Sequence, residues 1–209
     1  MTGTIALLGG GPFTANDELD RRLIEMAGAT EVVVLPTADA FEHPSRLIDS
    51  AKAWGERLGV TIDGRLVLRR ADANEAGHTH AVERARMVYL AGDSPLHLRS
   101  VLKDTSLFDA LRTVVANGGV VAATGASAAV LCDPMTDPRG GAFSLGLALV
   151  EGLAVLHETE SMSPEKLHRT LKLANGFAVA VLPTGSALLR GPAGWEQVGN
   201  AEIHGTLIP

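Results

Sequence analysis

Four short runs in this chain are almost wholly apolar: Thr4–Leu8 (TIALL), Glu31–Leu35 (EVVVL), Met87–Leu90 (MVYL) and Gly119–Ala123 (GVVAA). A strand with one wet face alternates apolar and polar residues, whereas a strand covered on both faces does not. Runs this short and this apolar therefore demand layers on both sides, and point to parallel strands beneath helices. The segments between them supply those helices. Asp17–Ala27 places Leu19, Leu23, Ile24 and Ala27 on one stripe with charges opposite, and Ser45–Leu58 does the same with Leu47, Ile48, Ala51, Trp54 and Leu58. Pro95–Leu102 and Leu107–Val115 read as further helices, and Arg65–Leu68, Leu153–Leu156 and Ala178–Leu182 as further strands. The last third is broken by Pro, Gly and Asn, so Ala178–Leu182, Ser186–Arg190, Glu196–Val198 and Ile203–Leu207 read as a small antiparallel finish to the sheet. The expected fold class is α/β: a three-layer sandwich, mainly parallel sheet with helices on both faces, and short antiparallel strands at the C-terminal end. With 209 residues, 46% of them hydrophobic, residues 1–209 are read as a single domain with one sizeable core.

Several function classes are disfavoured. The net charge of −6 and the scatter of the 18 Lys and Arg residues argue against nucleic acid or an anionic membrane as partner. Aromatics at 4% leave little material for stacking bases. No apolar stretch approaches the roughly 18 residues that cross a bilayer, and MTGTIALLGGG reads as a first strand rather than a signal peptide. The single cysteine, Cys132, excludes an internal disulfide and suits a reducing cytoplasm.

In open α/β sheets ligands sit at the carboxyl ends of the strands. Four turns fall there: GGGPF, PTADAFEHP, AGDSP and TGASAA. The last contains Gly125-Ala-Ser-Ala-Ala129, which keeps the first glycine and the serine of a nucleophile elbow but has Ala129 for the final glycine. Ser127 is the candidate nucleophile; a small-residue helix start is the alternative. A serine needs a base and, usually, an acid that orients the base. Of the seven histidines, His157 follows Leu153–Leu156 and falls on the ligand edge. His43 and His97 also face that edge, His168 falls in a helical stretch, and His78 and His80 lack evident metal-ligating companions. Asp137 lies between Ser127 and His157 and is taken as the acid, with Asp133, Glu158 and Glu160 as alternatives. The oxyanion would be met by the backbone amides of Gly92 and Ala128. Asp93, Gly10 and Gly11 are candidate substrate contacts. Neither a metal site nor a cofactor is expected, since GGGPFT lacks the third glycine of a dinucleotide loop; a glutamine amidotransferase is set aside because its elbow needs a cysteine.

LLGGG, VVVLPTA, YLAGDSPLHLRSVL, GGVVAATGASAAVL, GLALVEGLAVLHE and LPTGSALL together resemble the dipeptidase E / cyanophycinase family of serine peptidases. That resemblance implies a fold like the class I glutamine amidotransferase domains. By position it matches Ser127 to the nucleophile, His157 to the base, and Gly92 and Ala128 to the oxyanion amides. It implies a small peptide or amide substrate cleaved through an acyl-enzyme, since enzymes of that family cleave short peptides beside an aspartyl residue or the β-aspartyl-arginine units of cyanophycin. A carboxylate-reading arginine would then be needed, with Arg99, Arg139 and Arg169 as options. Ala91 in place of a glycine, Ala129, and AVLHE around the histidine depart from the family pattern. The competing expectation is a catalytically impaired relative that serves as a ligand-binding or scaffold protein. A homodimer is the expected assembly.

Overall fold

The computed structural model describes residues 2–208. In chain order its strands and helices are β1 (Thr4–Leu8), α1 (Asp17–Ala27), β2 (Glu31–Leu35), α2 (Pro44–Leu58), β3 (Thr61–Gly64), α3 (Ala76–Arg84), β4 (Met87–Leu90), α4 (Pro95–Leu102), α5 (Ser106–Ala116), β5 (Val120–Thr124) and α6 (Ala126–Leu131). There follow the short strands β6 (Cys132–Asp133), β7 (Met135–Thr136), β8 (Phe143–Ser144) and β9 (Val150–Glu151), then β10 (Leu153–His157), α7 (Pro164–Leu173), β11 (Ala178–Leu182), β12 (Ala187–Gly191), β13 (Gly194–Val198) and β14 (Glu202–His204).

The main sheet has seven strands in the order β13-β12-β1-β5-β4-β2-β3. Strands β1, β5, β4, β2 and β3 run parallel, while β12 and β13 close one edge antiparallel. The all-apolar runs are its centre, and their side chains alternate between two cores. Ile5, Leu7, Val33, Val88, Leu90 and Val121 meet α4, α5 and α6 on one face. Ala6, Leu8, Val32, Val34, Tyr89 and Ala122 meet α1 and α2 on the other. Each buried Leu or Val removes enough apolar surface from water to contribute about 1.5–3 kcal/mol. Both amphipathic helices end where glycine allows it: Gly28 and Gly59 are left-handed, at φ 59° and 77°. Pro44 opens α2 at a position whose N–H has no helical partner to lose.

The structure departs from the sequence reading at two places and adds one helix. Arg65–Leu68 is not a strand; the third strand is Thr61–Gly64, a half-exposed edge paired only with β2. An edge strand with one neighbour has little apolar demand, so its sequence carries no strong signature. The polar stretch around His78 and His80 is α3, a surface helix that buries only Thr79, Ala81 and Val82. Finally, β10 and β11 do not extend the main sheet. They pair parallel to each other, with β14 antiparallel on β11, in a second three-stranded sheet. The reason is topological: β12 occupies the free edge of β1, and β5 lies between β1 and β4. One face of the second sheet joins the α6 core through Leu153, Val155, Ala180 and Leu182. Its other face packs on Leu167 and Leu171 of α7.

Candidate active site

Strand β5 turns into α6 at Gly125, whose φ of 57° and ψ of −125° a side chain would strain. Its N–H is fixed by the carbonyl of Leu8 at 2.9 Å, and its carbonyl accepts the amides of Ala128 and Ala129 at 3.1 and 3.2 Å. The strain of this elbow therefore falls on Gly125, and Ser127 sits in the first turn of the helix. That placement explains Ala129. A helical position with 2% exposure tolerates a methyl group that a left-handed turn would not.

Ser127 is fully buried, and its hydroxyl donates to the carbonyl of Gly92 at 3.2 Å. Gly92 has φ 116°, and a Cβ there would lie 2.6 Å from the backbone of Ala38 and Asp39. Only glycine fits. Of the two expected oxyanion donors, Gly92 thus presents its carbonyl to the serine, and the Ala128 amide is already bonded to Gly125.

His157 ends β10, opposite Leu182 in register. Its Nδ1 lies 3.7 Å from where a Cβ on Gly125 would stand. The second sheet thereby delivers a histidine ring to the elbow of the first. That Nδ1 is buried and has no hydrogen-bond partner among the described residues. Burial pushes the His157 pKa below its ordinary value, with Glu158 and then Asp93 pulling it back up, Lys166 lowering it and Glu160 raising it. The ring also borders a cavity of about 190 Å³ whose wall includes Ala129, Asp137, Glu158, Met162 and Lys166.

The candidate acids are dispersed. The carboxylate of Asp137 is held by Arg139, at 3.1 Å from Nε and 2.8 Å from Nη2, and those bonds bring its pKa down to about 2. Asp133 accepts the Gly146 N–H at 2.8 Å and braces a turn. Thr184 holds Glu160 through its amide at 3.2 Å and lowers the carboxyl below its usual range. Glu158 alone reaches ion-pair distance of the ring, its Oε2 3.7 Å from Nδ1.

The family model for "Peptidase family S51" matches residues 5–192. The chain belongs to peptidase family S51. Among solved structures it is similar to a peptidase from an acI-B1 Actinobacterium, at TM-score 0.86 and 23% identity, over 98% of this chain and 90% of that one. It is also similar to a putative Peptidase E protein from Listeria monocytogenes EGD-e, at TM-score 0.70 and 15% identity, over 98% of both chains. At those identities the likeness carries the α/β fold. A search of curated proteins found no match.

The remaining candidates of this S51 chain fall as follows. Gly10 and Gly11 stand in a crowded turn after β1: a Cβ on Gly10 would strike Glu158, and one on Gly11 would strike Ala15. Asp93 is exposed at the rim, and its charge also reaches Asp39, whose pKa is raised chiefly by burial. His97 lies 2.8 Å from the Leu68 carbonyl and against Phe41, His43 is exposed at the start of α2, and His168 is exposed on α7. No group of three metal-ligating side chains forms among the described residues, and no helix there is long and apolar enough to cross a membrane. Arg99 reaches the Gly146 carbonyl and Arg139 is engaged by Asp137. The cation in the cavity wall is Lys166. Sequence reading passed over it because PEKLHRTLKLA resembles an ordinary charged surface helix.

Proposed function

We propose that this chain is a serine peptidase of the cytoplasm, acting as one domain on a small peptide or amide through an acyl-enzyme. Ser127 is the nucleophile and His157 the base. The observation that carries the reading is where the second sheet delivers its histidine: the His157 ring reaches to 3.7 Å from where a Cβ on Gly125 would stand, two residues before Ser127. A depressed histidine pKa keeps the ring neutral near pH 7, ready to accept a proton. The amides of Gly92 and Ala128 meet the oxyanion once the Ala128 N–H leaves the Gly125 carbonyl that it now bonds and the Gly92 N–H faces the site. Lys166 meets a carboxylate on the substrate, as an aspartyl side chain would supply, and Asp93 contacts the substrate at the rim.

A second reading has its own observation. The Ser127 hydroxyl is fully buried and bonded to a carbonyl that cannot activate it, as in a catalytically impaired relative that binds without turnover. A fluorophosphonate probe separates the two. The peptidase reading expects covalent labelling of folded protein, lost in Ser127→Ala. Absence of labelling, with the fold intact by circular dichroism, favours the impaired relative.

A further inference from the structure

The segment after β10 contains a strained residue that the nucleophile-and-base description does not use. Glu158 is left-handed, with φ 48° and ψ 42°, a conformation that strains a residue carrying a Cβ. Three hydrogen bonds hold it there. Its N–H donates to the Gly9 carbonyl at 2.9 Å, and its carbonyl accepts the N–H and hydroxyl of Ser161 at 3.0 and 2.8 Å.

The turn has a geometric effect. In an extended strand, consecutive side chains point to opposite faces, so a Glu158 that continued β10 would face away from His157. The left-handed turn instead brings its Oε2 to 3.7 Å from His157 Nδ1. Room for that carboxylate comes from the first glycine loop. A Cβ on Gly10 would lie 2.6 Å from Glu158 Cγ and 2.9 Å from Oε1. The competing acids are engaged elsewhere: Asp137 by Arg139, Asp133 by Gly146 and Glu160 by Thr184.

We infer that Glu158, rather than Asp137, is the positioning residue of His157; the assignment rests on the serine-peptidase reading above. Its carboxylate accepts the Nδ1 proton, fixes the tautomer and offsets the charge that the ring gains. Catalytic hydrogen bonds often stand long in a resting site and tighten once charge develops, so the 3.7 Å gap closes as the ring becomes an imidazolium. In acylation the bond from Ser127 Oγ to the substrate carbonyl carbon forms, and the carbon–nitrogen bond breaks. The proton passes from Ser127 to His157 and on to the leaving amine, while Glu158 remains a carboxylate. Water then enters, gives its proton to His157 and frees the acid and the Ser127 hydroxyl.

The test uses the full chain with two readouts: the fluorophosphonate labelling rate across pH, and the His157 titration by NMR. The charges that face this ring are Glu158, Asp93, Lys166 and Glu160. Removing Glu158's charge removes the largest influence raising the ring's pKa. Glu158→Gln is therefore expected to lower that pKa, move the acid limb of labelling to lower pH, and slow labelling about 10²–10⁴-fold. Glu158→Asp should restore part of the rate. The loss in Glu158→Gln should exceed that in Asp137→Asn or Glu160→Gln at least tenfold. An unmoved His157 titration in Glu158→Gln, or a larger loss in Asp137→Asn, overturns the assignment. If wild-type Ser127 takes no label, the peptidase reading falls, and the titration alone still decides whether Glu158 holds the ring.

Discussion

The two halves of the candidate site are built by opposite means. The serine half is local: β5, Gly125 and the first turn of α6 lie within a dozen residues, on the ladder that pairs β5 with β1. The histidine half is assembled from far apart. It needs β10 in a second sheet, the left-handed Glu158, Gly10 from the loop after β1, and Thr184 from the turn after β11. A local device is written in adjacent residues and survives an Ala for a Gly. A composite device depends on how two sheets meet, and no short motif encodes it.

The largest effect should come from the local half. Ser127→Ala is expected to abolish peptidase activity while leaving the melting temperature within a few degrees, since a buried hydroxyl with one bond is worth about 1 kcal/mol. Retained turnover would break the comparison at its first term. In the composite half, His157→Ala should cost turnover at least as severely as His168→Ala, which removes an exposed ring on α7. The reverse order would mean that the second sheet does not supply the base. Next comes a buried acid belonging to neither half. Asp20 is fully buried, accepts the Trp54 indole N–H at 3.0 Å, and burial raises its pKa to about 7. A carboxyl whose pKa is raised by folding destabilises the native state as it ionises, so stability should fall between about pH 4 and 7 and then level off. Asp20→Asn should raise the melting temperature more at pH 8 than at pH 5, by an effect on the order of a few kcal/mol. Equal gains at both pH values would show that Asp20 is not buried as an ionising group. Smallest is Lys166→Met, expected to raise KM several-fold for substrates with an acidic side chain and to leave neutral ones unchanged. A uniform change would remove Lys166 from substrate recognition.

Much of the fold was legible because burial on both faces leaves strong marks. The bounds of β1, β2, β4, β11, α1 and α4 follow directly from apolar runs and stripes. The edge strand β3 and the polar helix α3 were not legible, since neither has a large buried face. At the site, Gly92 and Ser127 could be read from turn chemistry, and the structure brings them within hydrogen-bond range. The destination of Asp137 could not, because its neighbour Arg139 competes for it and spacing says nothing about which partner wins. Lys166 was hidden, and Glu158 stood only among the alternative acids, for a related reason: the roles proposed for them arise from a cavity wall and a left-handed turn, which leave no trace in residue order.

Cys132 lies at the end of α6, fully buried, with its Sγ 3.7 Å from the Ala128 carbonyl and its pKa pushed far up by burial. As the sole thiol of the chain, it is a reporter fixed at the far end of the helix that carries Ser127. An alkylating reagent meets a protonated, inaccessible sulfur in the closed state and a reactive one only when the elbow opens. The rate of its modification therefore measures how often this corner of the molecule breathes. That clock runs on sulfur alone, so it can be read in the same tube as a serine-directed label without either signal contaminating the other.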